Sequence, residues 1–336
     1  MQNGELSFNL LHKIFNSPFS IINYRKMILK RNFDLRKVFW NIRFETLTTL
    51  LVAVAIYVLH QLKVTDIALH FSITGILGSA LAIFIAFRNQ SSYARWWEAR
   101  TIWGGIINNS RIFARQIITN TDNAVTISKV ALTDADAYKK EMIDRQIAFA
   151  HCLRLHLRKQ DNLNEFQHLL SENEFNEIKQ KQNRPNILLH TQGIRIKEAM
   201  QKEMLGAFDN ISMEPNLATF SNWQGACERI KNTPLPMNYQ YFTKLFLYVF
   251  IFVLPICLIG DFTKMNIGFM VIPVSFIICF VFAVMNRVGE INENPFENQM
   301  SDIPMTAMCN TIERDLKEML GEEMPEKMET KKGYLF

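Results

Sequence analysis

The 336-residue chain lacks most of the features that mark secreted, metal-binding or catalytic proteins. Its five cysteines, Cys152, Cys227, Cys257, Cys279 and Cys309, form no CxxC pair. An odd number at wide spacing excludes a disulfide framework and a zinc cluster, so free thiols in reducing surroundings are expected. There is no HExxH, no phosphate-cradling glycine loop and no GxSxG. Of seven histidines, His151 and His156 are the close neighbours in a helical segment. Five residues of separation rotate them onto different faces, so structural or solvent-facing roles are expected. No enzymatic activity, metal or cofactor is expected. With 49% hydrophobic and 21% charged residues, the composition also excludes disorder and low-complexity sequence.

Charge is nearly missing from four windows, 46–62, 67–87, 245–260 and 265–286. A helix needs about 20 apolar residues to cross about 30 Å of hydrocarbon, and Trp40, Phe44, Tyr241 and Phe242 extend the shorter windows at the interface. Four transmembrane helices are predicted. The links 63–66 and 261–264 are short, so the windows should pair as two antiparallel hairpins. Basic residues set the orientation. Lys13, Arg25, Lys26, Lys30, Arg31, Arg36, Lys37 and Arg43 precede the first window, and Arg88, Arg95, Arg100, Arg111 and Arg115 follow the second. The two links hold one lysine each, Lys63 and Lys264. Cytoplasmic loops collect Lys and Arg, so both termini and the long middle segment are expected in the cytoplasm. The net charge of +5 then needs no nucleic-acid partner. The first 35 residues contain no apolar core followed by a small-residue cleavage site, so the first span is expected to direct insertion.

This divides the chain into a cytoplasmic N-terminal segment (1–38), two spans (39–88), a helical cytoplasmic domain (89–240), two further spans (241–288) and a cytoplasmic C-terminal segment (289–336). Within the middle segment apolar residues recur at three and four positions, as in Ile102, Ile106, Phe113 and Ile117, which predicts consecutive helices. Breaks are expected at 119–123, 160–164, 180–185, at Glu214 and Pro215, and at the Pro234-Leu235-Pro236 corner. No proline interrupts 67–118, so one helix should run from the second span deep into the cytoplasmic domain, unless Gly104 and Gly105 kink it.

Residues 87–100 read FRNQSSYARWWEAR, followed by Trp103 and Gly104. As an interfacial belt the two tryptophans keep one ring edge wet, and Arg95 and Glu98 stand at i, i+3, able to pair. A cluster this dense resembles the bestrophin family, in particular its bacterial branch. Asn294-Pro295-Phe296, Asp302-Ile303-Pro304 and Cys309-Asn310-Thr311-Ile312-Glu313 strengthen the resemblance, as do Arg184-Pro185-Asn186 and the Pro234-x-Pro236 corner. It extends from about Trp40 to Leu320.

The resemblance implies an all-α membrane protein, a homopentamer around a central pore lined by the second span, in the cell membrane (the inner membrane of a Gram-negative cell). Counted back from the Arg95-Trp96-Trp97-Glu98 motif, the family's apolar neck falls on Ser79, Ile83 and Phe87. Ser79 departs from the usual large apolar residue, and Ile76 is the alternative outer ring. Such rings gate by dewetting. The family's cytoplasmic aperture falls on Ile187, although Leu188 and Leu189 are equally apolar. Animal members hold calcium with a dense acidic run. Here 297–302 offers only Glu297 and Asp302, so no calcium clasp and no calcium dependence are expected. Bacterial-branch motifs favour monovalent cations, with a chloride-type anion channel as the alternative. A secondary transporter is the reading from another class, weakened by the lack of any carboxylate inside the four windows.

Overall fold

The computed structural model describes residues 27–28, 35–63, 69–127, 129–299, 301–328 and 334–335. In chain order the described residues form α1 (Leu35–Asn41), α2 (Arg43–Gln61), α3 (Ser72–Thr126), α4 (Leu132–Arg158), a 3-10 turn (Leu163–Leu169), α5 (Glu172–Lys179), α6 (Arg184–Gln201), α7 (Asp209–Asn232), α8 (Met237–Lys264), α9 (Val271–Asn292) and α10 (Met305–Leu320). The only strands among them are two residues each, β1 (Met27–Ile28) and β2 (Tyr334–Leu335), paired antiparallel with Met27 opposite Leu335. The all-helical expectation therefore holds. The small ladder was not anticipated from the sequence, since two residues carry no alternation pattern.

Four helical stretches are long and apolar enough to cross a membrane: Arg43–Gln61, Ser72–Thr126, Asp209–Lys264 and Gly268–Asn292. The third contains α7 and α8 with the Pro234 to Pro236 corner between them, and its apolar part is α8. These helices meet in one apolar cluster that includes Leu81 and Ile85 of α3, Leu247 and Leu254 of α8, and Val271 and Cys279 of α9. Their outer faces leave Leu51, Phe252 and Ile277 exposed, as lipid-facing helices do. α8 and α9 form the expected hairpin, although α8 runs on through Lys264 and the chain reverses one step later, where Asn266 takes a left-handed conformation at φ 60°. The other expected hairpin is not made. α2 packs on α8 and α9 rather than along α3, because α9 lies against both of them.

α3 spans 55 residues, about 80 Å at 1.5 Å per residue, and leaves the membrane cluster to enter a second, larger core. There Trp103, Phe113, Phe149 and Phe220, from α3, α4 and α7, are fully buried, and α10 closes the side. The helix begins at Ser72 rather than Ile67 and passes through the expected break at 119–123. Burial decides this: Thr121 and Ala124 face the core, while Thr119 and Thr126 return their hydroxyls to the Arg115 and Asp122 carbonyls at 2.9 Å each. Gly104 and Gly105 do not break the helix either. A Cβ on Gly105 would come within 2.5 Å of the Trp223 ring, so this glycine serves close packing of α3 on α7. Pro215 also stays inside its helix, in the second turn of α7, where only one interior hydrogen bond is lost. The expected breaks at 160–164 and 180–185 each begin in a gap between elements and run into the start of the next one, the 3-10 turn at Leu163 and α6 at Arg184, and the Pro234 to Pro236 corner falls between α7 and α8.

Candidate functional site

α3 has two contrasting faces over its membrane half. One buries Leu81, Ile85 and Arg88 against α8 and α9. The other exposes Ile76 (72%), Ile83 (56%) and Phe87 (67%), with Ser79 exposed among them. At 100° per residue these four side chains fall within about 80° of one another. The Ser79 hydroxyl donates to the Gly75 carbonyl at 2.8 Å, so its polarity is largely satisfied within the helix. The structure thus gathers all four predicted neck residues on one uncharged stripe that no other element among the described residues covers.

Directly beside Phe87, on the inward face, lies a buried ionic cluster that sequence reading missed. The Arg88 guanidinium donates to Asn286 Oδ1 at 2.8 Å and to Glu293 Oε2 at 3.3 Å, and stands 3.8 Å from Glu290 Oε1. Glu290 is further paired with Arg287 at 2.7 Å and Lys244 at 3.4 Å. Three cations and two carboxylates are thereby held where α3, α8 and α9 meet. A charge this buried persists only when paired and hydrogen-bonded. One turn away Gly289 of α9 lies so close to α3 that a Cβ there would collide with the Asn89 side chain, whose amide donates to the Met285 carbonyl at 3.0 Å. The available signal was Glu290 and Glu293 at i, i+3 just beyond the last apolar window, with a lone arginine closing the second.

The Arg95 and Glu98 side chains do not pair with each other, contrary to expectation. Arg95 donates to the carbonyls of Ile230 and Thr233, each at 2.6 Å, and of Glu293 at 3.1 Å. Carbonyls at the end of α7 have no helical partner, and the guanidinium fork reaches them better than it reaches a carboxylate on its own helix. Glu98 accepts instead from Arg229 at 2.6 Å. Of the two tryptophans, Trp96 is partly buried and donates Nε1–H to the Ser301 carbonyl at 2.9 Å, whereas Trp97 is 56% exposed. The two motifs, far apart in sequence, therefore form one joint: Arg95 and Trp96 grip both ends of the loop that follows α9. Phe296 and Ile303 of that loop are buried beneath it.

Neither acidic residue of 297–302 is free. Glu297 pairs with Lys231 at 2.7 Å, and Asp302 accepts the Gln299 backbone N–H at 3.0 Å. Among the described residues no cluster of three or more His, Cys, Asp or Glu is placed to hold a metal. Burial pushes the Asp302 carboxyl up to about 7, against the pull of backbone donors at Gln299 and Glu297 and of Arg158. Raised above its ordinary value near 3.9, this group holds a proton in the folded state that the unfolded chain has released. Stability attributable to it is thus highest below about pH 4 and is lost as pH rises towards about 7. Melting curves across that window should fall less steeply for Asp302→Asn than for the unmodified protein, and parallel curves would refute the assignment.

Ile187 lies in the first turn of α6, partly buried against the larger core, while Leu188 (0%) and Leu189 (5%) are inside it. Of the three apolar candidates only Ile187 keeps surface. His151 and His156 have separate partners, Glu313 and Glu228, each at 3.4 Å. All five cysteines are free and buried.

A sequence model of one family, described as Bacterial/Fungal Bestrophin protein, matches residues 22–318. The chain belongs to this bestrophin family. The voltage-dependent anion channel-forming protein YneE of Escherichia coli K12 is 32% identical over 267 residues, covering 79% of this chain and 82% of its own length. A protein of the same description from Ralstonia nicotianae is 31% identical, covering 81% and 84%. A crystal structure of a bacterial bestrophin homologue from Klebsiella pneumoniae is 30% identical, superposes with a TM-score of 0.75, and covers 84% of this chain and 99% of its own. The family resemblance read from the motif at Arg95 to Glu98 is therefore correct.

Proposed function

We propose that this bestrophin is a passive channel for monovalent ions, assembled as a homopentamer with α3 of each subunit lining a central pore. The observation that carries the reading is the uncharged stripe of Ile76, Ser79, Ile83 and Phe87, exposed on the helix whose other face is fully packed. A helix whose face is left uncovered by the described residues of its own chain suits symmetric copies around an axis. In this reading Phe87, Ile83 and Ser79 form the neck, Ile76 extends it outward, and Ile187 narrows the cytoplasmic exit. Residues 39–88 and 241–288 supply four spans, and 1–38, 89–240 and 289–336 are cytoplasmic. Pairing of β1 with β2 supports termini on one side of the membrane. Pro255 sits within the continuous α8, which speaks against the unwound spans of a transporter.

The cation preference drawn from the motifs finds no support in the relatives, which are named as anion channels. Those names favour the alternative, and anion conduction is the selectivity we carry forward. Purified protein in planar bilayers under a KCl gradient, with a calcium chelator present, tests both points. Unitary currents reversing near the chloride equilibrium potential are expected. Reversal near the potassium potential would return the reading to a cation channel, and absence of current would remove the channel.

A further inference from the structure

The exposed stripe of α3 does not end at Phe87. It continues through Ser91 and Ala94, both exposed and uncharged, to Glu98, which at 100° per residue lies about 20° from the direction of Phe87. Glu98 is the first formal charge on that stripe. Arg88 and Arg95 turn into the fold and are held there by Asn286, Glu293 and the end of α7. Arg100 lies about 140° away around the helix. The Glu98 carboxylate accepts from Arg229 of α7 at 2.6 Å, and the two side chains remain 45% and 65% exposed. An ion passing the neck along α3 therefore meets no fixed charge until it reaches a carboxylate and a guanidinium standing together.

We propose that Glu98 and Arg229 form a paired charge ring at the inner mouth of the pore, and that the balance between the two charges tunes the preference between anions and cations. This rests on the pore proposed above. Apolar rings can block an ion but offer no charge to sort it. Charges lining a confined mouth change local ion concentrations over a Debye length, about 8 Å at physiological salt. With the pair intact the two charges offset each other. Removing one uncovers its partner in every subunit.

Full-length Glu98→Gln and Arg229→Gln proteins, measured in planar bilayers under a KCl gradient, should shift the chloride-to-potassium permeability ratio in opposite directions. Glu98→Gln raises it and Arg229→Gln lowers it, each by at least about threefold, the Boltzmann factor for a potential of one kT. The double variant should return towards the parent ratio, Glu98→Asp should keep it, and both shifts should shrink as KCl is raised. Unchanged ratios, or shifts of the same sign, overturn the charge ring while the channel stands. A parent protein that carries no current overturns the channel itself. Both substitutions are on exposed side chains, and assembly is checked by co-elution with the parent protein.

Discussion

Replacement of Arg88 by Gln is expected to destabilise the protein by about 3–5 kcal/mol, the cost of breaking a buried ion pair from one side. The guanidinium is the hub of the cluster. Without it Glu293 keeps no ion pair among the described residues, and Asn286 loses its donor to Oδ1 at the joint of α3 and α9. Glu290 keeps Arg287 and Lys244, so the damage concentrates at Glu293. Thermal unfolding of detergent-solubilised protein, followed by tryptophan fluorescence, reads the effect. A drop smaller than about 3 °C, below the shift expected from 1–2 kcal/mol in a chain of this size, would show that the cluster contributes little. Glu293→Gln in the Arg88→Gln background should cost much less than in the parent, since coupled partners are not additive.

Polar or smaller residues at the neck should raise ion flux by at least about tenfold, equivalent to about 1.4 kcal/mol removed from the barrier. Ile83→Thr and Phe87→Ala are the substitutions to make, because both side chains project from the stripe and neither contributes to either core. A dewetted apolar constriction excludes water and therefore ions, and a hydroxyl or a wider ring readmits both. Ion efflux from liposomes measures this directly. Ile277→Thr on the exposed face of α9 serves as the control and should leave flux unchanged. Parent-like flux from both neck variants, with the parent itself conducting, would take the stripe off the conduction path.

Much of this was legible beforehand, for a physical reason. Hydrocarbon admits few charges, so the four charge-poor windows stand out, and the helices over them are the ones long and apolar enough to span. The dense motif at Arg95 to Glu98 identified the family. Helix limits were less legible. Local composition at 119–123 and at Pro215 signals a break, yet core burial of Thr121 and of Met213 holds both helices together. Polar partnerships were least legible. Arg95 and Glu98 look paired by spacing, while their actual partners lie more than a hundred residues away on α7 and beyond.

Sequence alone determined the membrane class and the helical content, because hydropathy and helical period are local properties of the chain, while the family and the candidate neck residues came from the resemblance carried by the motif at Arg95 to Glu98. The tertiary structure decided three things: α2 lies on α9 rather than α3, Ile187 alone among its apolar neighbours keeps surface, and Arg88 is locked to Asn286 and Glu293 behind Phe87. Each depends on which distant groups are brought within a few ångströms. Hydrogen bonds and ion pairs act only at that range, so folding, not local pattern, selects the partners.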